Sequence, residues 1–168
     1  LRQISETAAQ SLKDMRLQIY ELRRTDLEQI GLVAALQQRL NSVEKRAGMD
    51  ARLDSAEHLD LPAWAEEALY SIVSEALNNS LKHAAASALQ VSVHLADNRV
   101  DLQVTDNGRG FDVQAARGSG GLGLTSMRER TEQAVGTLTI EAATGKGTTV
   151  KVSLPLAPDG RASGRHVV

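Results

Sequence analysis

Glu75, Asn79 and Lys82 follow one another at intervals of four and three residues in "SEALNNSLKH". At roughly 100° per residue of helix, the three fall within about 60° of arc, with His83 at its border. A carboxylate, an amide oxygen and an ammonium on successive turns can hold a metal ion and a phosphate together. The amide is a neutral hard oxygen suited to Mg²⁺, and the lysine meets anionic oxygens. The same residue types also make an ordinary solvated face, and on this helix alone that plainer reading is favoured. The pair Asn78-Asn79 is a further oddity, because asparagine is a mediocre helix former.

Two glycine clusters supply independent signals. "TDNGRGF" (105–111) follows an alternating strand directly. Asp106 at the strand's end can accept from an exocyclic amino group, while Gly108 and Gly110 let backbone approach a planar base. Asn107-Gly108 also suits a plain hairpin turn. "GSGGLGL" (118–124) satisfies G-x-G-x-x-G, with Glu141 where a ribose-binding acid would stand. A dinucleotide fingerprint, however, needs a strand immediately before the first glycine, and here polar loop intervenes. The cluster still opens a helix, and glycine amides there suit phosphate. "ATGKGTTV" (143–150) is no P-loop: Ile140 occupies the first glycine position, and Gly147 stands where Ser or Thr should follow the lysine.

The elements that must carry these residues are legible from periodicity. Leu1, Ile4, Ala8, Leu12, Met15, Ile19 and Leu22 form one stripe along a helix over residues 1–24. Thr25 to Glu28 fits a capping box, and a second helix follows with Ile30, Val33, Leu36 or Gln37, Leu40 and Val43 on one face. Neither stripe has enough chain around it to be buried alone, which points to dimerisation or to packing against further chain. After Gly48 comes a weak strand at 49–55, then a helix over about 61–85, opened by Asp60 as N-cap and Pro62. Strands are expected at 89–96 and 99–106 around Asp97-Asn98. A glycine-rich stretch over 107–123 leads to a helix at 124–135 ended by Gly136 as C′ residue. A hairpin turns at 144–147, and a tail runs from Ala157. This order predicts an α+β fold, a two-layer sandwich with helices on one face of a mixed sheet.

Bulk properties narrow the classes. The 168 residues can hold one compact domain plus an appendage, or one larger domain. Apolar residues are 42% but aromatics only 2%, so Leu, Val, Ile and Ala must build the core. A net charge of −2 argues against direct nucleic-acid binding. Without cysteine there are no disulfides or thiolate metal sites. No apolar run approaches the roughly 20 residues of a membrane span, and no signal-peptide pattern opens the chain, so a cytoplasmic location is expected.

In order, "EALNNSLKH", "DNGRGF", "GGLGL" and "GKGTTV" resemble the N box, first glycine box, second glycine box and glycine-threonine box of the GHKL ATPases (gyrase, Hsp90, histidine kinase and MutL). "GLGLTSMRER" and "RLQIYELRRTDLEQIGLVAAL" resemble the NarL/DesK-type branch of sensor histidine kinases. The resemblance implies a Bergerat-type sandwich over 48–156, preceded at 1–47 by the end of a helical dimerisation and phosphotransfer region, with a flexible tail at 157–168. It implies ATP and Mg²⁺ as cofactors, with Asn79 as the metal ligand. Glu75 matches the acid that polarises the attacking group, and Lys82 and His83 match phosphate contacts. Asp106 matches the adenine-reading aspartate, with Gly108 and Gly110 beside it. Gly121 and Gly123, with Leu122 and Leu124, match the lid end, and Thr148 matches the threonine near the adenine. Asn78 matches no ligand role and reads as a solvated neighbour.

That branch phosphorylates a histidine in a His-Asp box on its first dimerisation helix. None of His58, His83, His94 and His166 lies in such a box, and Arg24 stands where the branch commonly has proline. The implied function is the ATP-binding portion of a two-component kinase whose acceptor helix lies upstream of this chain. Its partners would be that helix, a second copy of the kinase and a DNA-binding response regulator. The parent could be membrane-anchored through segments elsewhere. The alternatives are a GHKL ATPase or anti-sigma-like serine kinase, and a nucleotide-sensing dimerisation module.

Overall fold

The computed structural model describes residues 27–113 and 122–156. The expected helix over 1–24, the Thr25 cap, residues 114–121 of the glycine stretch and the tail lie outside them. Helix α1 covers 27–47 and β1 is Asp50–Ser55. Helix α2 is Ala63–Asn79 and runs into a π-helical turn, Ser80–Ala84. Next come β2 (Ala88–Ala96), β3 (Arg99–Asp106), α3 (Leu122–Gln133), β4 (Thr137–Ala142) and β5 (Thr148–Pro155). The sheet order is β1-β2-β3-β5-β4. Among the described strands only β1 with β2 is parallel. The architecture is the expected α+β sandwich on a mixed sheet.

Strand alternation explains the layers. Val91, Val104 and Val150 lie side by side across β2, β3 and β5, and so do Val93, Leu102 and Val152. All six are buried against the helices. The opposite face carries Ser92, Asp101, Gln103, Lys151 and Ser153, and there Arg99 and Asp101 share the Ser153 hydroxyl. Parity then places Asp106. It continues the series Val100, Leu102, Val104, and its register partners are Leu89 and Thr148. The carboxylate therefore points inward, at 7% exposure. Asp97 and Asn98 both adopt positive φ, as a two-residue type I′ hairpin requires.

Over α1 the sequence expectation needs correcting. Its stripe is buried by its own chain: Leu32, Leu36, Leu40 and Val43 belong to the same core as Leu69, Ile72 and Leu77 of α2 and the sheet valines. Each such leucine contributes about 2 kcal/mol of burial. Ile30 is instead exposed, because Gly31 at φ +76° breaks the helical phase between them. The Leu32 amide donates to Glu66 Oε1 of α2 at 3.2 Å, which satisfies a donor at the restart. α2 itself begins two residues later than expected, with Pro62 and not Asp60 at the cap position and no side-chain cap.

Helix α3 also ends differently. The Gly136 amide bonds to Thr131 O and the Val135 amide to Glu132 O, the two bonds of a Schellman motif. Val135 and not Gly136 is thus the C′ residue, at φ +51°. Gly136 is needed for space instead, since a Cβ there would press on Leu154 and the Ser153 carbonyl. A β-branched residue in the left-handed region is strained, and Val135 is 68% exposed, so it buries little in return. Val135→Gly should stabilise the fold by about 1 kcal/mol, raising the melting temperature by roughly 3 °C in a calorimetric scan.

Candidate nucleotide site

A cavity of about 310 Å³ lies between α2, the π-turn, the ends of β3 and β5, and the start of α3. Ala76, Val104, Met127 and Val150 give it apolar walls, suited to a flat ring system. Asp106 and Thr148 supply polar groups at one end. The Asp106 carboxylate is fixed from both sides. Oδ1 accepts from the Gly108 amide at 2.9 Å, and Oδ2 accepts from the Ser80 hydroxyl at 2.8 Å. Each oxygen keeps acceptor capacity for a further donor.

The loop after β3 is tied down by backbone and by Asn107. Asn107 Oδ1 accepts from the amides of Ser87 and Ala88, both at 2.9 Å, and Nδ2 donates to Ser87 Oγ. The Arg109 amide donates to Ala84 O at 2.8 Å, and Arg109 O accepts from the Gly145 amide. Glycine is required where these strands of chain cross. A Cβ on Gly110 would overlap the Ala143 carbonyl, and one on Gly147 would overlap the Asp106 carbonyl. The turn 144–147 is therefore not a bare hairpin tip but a brace behind Asp106.

Of the sequence-derived residues, Asn79, His83, Asp106, Gly110, Gly123, Leu124 and Thr148 line this one cavity. Gly108 does not line it but holds Asp106. Glu75 also stands off the wall, yet its carboxylate lies against Gly123 at the start of α3, where a Cβ would collide with Oε1. Gly121 and the side chain of Leu122 fall outside the described residues.

Lys82 is exposed and lines no wall of this cavity. The arc that joined it to Asn79 assumed an unbroken α-helix. In the π-turn each residue advances less, with roughly 4.4 residues per turn. His83 is thereby brought back onto the direction of Asn79, and Lys82 is carried past the arc.

Sequence reasoning missed Ser80, Arg109, Phe111 and Met127, which also line the cavity. Ser80 sits on the apolar stripe of an ideal α2, so its periodicity reads as core. Only the inward parity of Asp106 hinted that a buried donor was required.

Residues 65–158 match the family model described as histidine kinase-, DNA gyrase B-, and HSP90-like ATPase. The chain belongs to this family of ATPases. The GHKL family reading is thereby established, and with it ATP binding as the property of the domain. Among curated proteins, the chain is 32% identical over 162 residues to the signal transduction histidine-protein kinase/phosphatase DegS of Brevibacillus brevis, covering 95% of this chain and 41% of that protein. It is 31% identical over 159 residues to the sensor histidine kinase LiaS of Bacillus subtilis, covering 95% and 44%. The chain thus spans less than half the length of these relatives. Among solved structures, the blue-light activated histidine kinase of Erythrobacter litoralis EL346 has the same fold, with a TM-score of 0.71 at 24% identity over 92% of this chain and 51% of that one. The histidine kinase domain of that protein superposes at 0.66 and 21% identity, over 82% and 75%. Among the described residues, no helix of this ATPase domain is long and apolar enough to cross a membrane.

Proposed function

We propose that this chain is the ATP-binding catalytic portion of a sensor histidine kinase, using Mg-ATP to phosphorylate a histidine that lies outside it. The observation that carries the reading is the one cavity lined by both Asn79 and Asp106, in which the buried carboxylate is fixed by Ser80 and Gly108. Adenine fits the apolar part, its amino group donating to Asp106 beside Thr148. The triphosphate extends toward Asn79, His83 and the start of α3. His83 and Arg109, not Lys82, are the basic side chains at this wall.

Magnesium fits this donor set. No group of three His, Asp or Glu residues among the described ones could hold a metal. Mg²⁺ bound to ATP takes most ligands from phosphate and water and needs few from protein, here the Asn79 amide oxygen. When bound it would neutralise phosphate charge. Glu75, whose carboxylate lies against Gly123, would orient the attacking histidine. The γ-phosphoryl group passes to that histidine nitrogen, leaving ADP, and the phosphohistidine then serves an aspartate of a response regulator. A second copy of the kinase would bring the dimerisation helices together. Because α1 is part of the core, we count residues 27–47 with the catalytic body, which then does not begin at residue 48.

The described histidines do not serve as acceptor. His83 is in the cavity wall, His58 lies in an exposed connection, and His94 is on the outer sheet face, 3.8 Å from Asp54. With γ-labelled ATP, the chain should bind Mg-ATP but take up no acid-labile label. Label should appear on an added dimerisation helix pair bearing a His-Asp box. Label on the chain's own histidines would overturn the assignment of an external acceptor, and no Mg-ATP binding would overturn the reading altogether.

A further inference from the structure

The two asparagines that close α2 face different ways. Asn79 lines the cavity, whereas Asn78 Oδ1 accepts a hydrogen bond from Arg39 Nη2 of α1 at 3.1 Å. Asn78 is therefore not a solvated neighbour. The contact lands directly before the helix widens into the π-turn, and both partners are half-buried.

We propose that Arg39, acting through Asn78, is a positioning residue for Asn79, holding the last α turn in the register that aims its amide at the metal side of the nucleotide. The proposal rests on the Mg-ATP reading of the cavity. The α and π registers are alternatives for one stretch of backbone, and their junction decides which side chains face inward. Here that junction presents Asn79, Ser80 and His83 to the cavity. An anchor on Asn78 pins its α side. Arg39 can anchor because its guanidinium is a planar fork on a helix that cannot yield: neighbouring Leu36 and Leu40 are fully buried. At the other end of α2, Glu66 grips the Leu32 amide, so α1 is fastened along the length of the helix it steers. Without the Arg39 contact, the turn bearing Asn79 occupies the productive register only part of the time. Apparent affinity for the metal-bound nucleotide then drops by that fraction.

The test is calorimetric titration of ATP into the full chain with Mg²⁺ and with EDTA, the ratio of the two affinities giving the metal-dependent increment. Asn79→Ala should reduce that increment to about one. Arg39→Ala and Asn78→Ala should each lower it about fivefold while affinity in EDTA stays within about twofold. The double variant should lower it no further, since both changes remove one contact. Asn78→Asp keeps an acceptor oxygen and should keep the increment. An unchanged increment in Arg39→Ala, or equal losses with and without Mg²⁺, would overturn the positioning role. Absence of any increment in the unsubstituted chain would instead overturn the Mg-ATP reading itself.

Discussion

Asp106→Asn should lower the affinity of this domain for ATP by about 100-fold and leave it folded. The two shapes are equal, so no volume changes inside the cavity. Asn can turn its oxygen to the Gly108 amide and its nitrogen to Ser80, whose hydroxyl then accepts. The serine proton still has a partner, because Ser80 Oγ is 3.1 Å from Ala76 O. Stability should fall by only about 1 kcal/mol. Binding should suffer far more, because in the proposed pose the adenine amino group would meet an amide nitrogen where it needs a carboxylate oxygen. A lost charge-assisted bond and a stranded donor together amount to roughly 3 kcal/mol. Titration calorimetry beside a melting curve separates the two effects. ATP bound with unchanged affinity would remove Asp106 from the nucleotide site.

The largest expected stability effect lies behind that carboxylate. Gly147→Ala should destabilise the fold by about 3 kcal/mol, lowering the melting temperature by roughly 10 °C. Gly147 has φ +75°, and the added methyl group would overlap the Asp106 carbonyl oxygen. Neither side can move aside cheaply, because Thr148 and Asp106 are register partners on β5 and β3. Gly145→Ala is the control. Gly145 has φ +78° with open space around it, so only the left-handed conformation is penalised, at about 1 kcal/mol. Equal losses in the two variants would show that the Gly147 contact contributes nothing of its own.

Strands β2 to β5 were legible because period-two alternation and half-burial are the same fact read in two ways. The four boxes were legible as short patterns in order, which sufficed for the family. What escaped were features that depend on tertiary packing. The inward role of Ser80 is hidden by its place on an apolar stripe. Lys82 and His83 cannot be ordered around a helix whose pitch changes within it. The burial of α1 followed a phase reset at Gly31, so Ile30 was counted on a face that Leu32 and Leu36 actually define. Val135 took the left-handed C′ position one residue before the glycine that composition would choose.

The break at Gly31 divides α1 into two parts that are held differently. An α-helix transmits torsion along its axis only while successive turns stay bonded in one phase. Here the phase is interrupted at a residue of positive φ, and the first amide beyond it is held by Glu66 from another helix. Gly31 is thus a point where the direction of α1 is set anew, and the Glu66 contact ties the part beyond it to the first turn of α2.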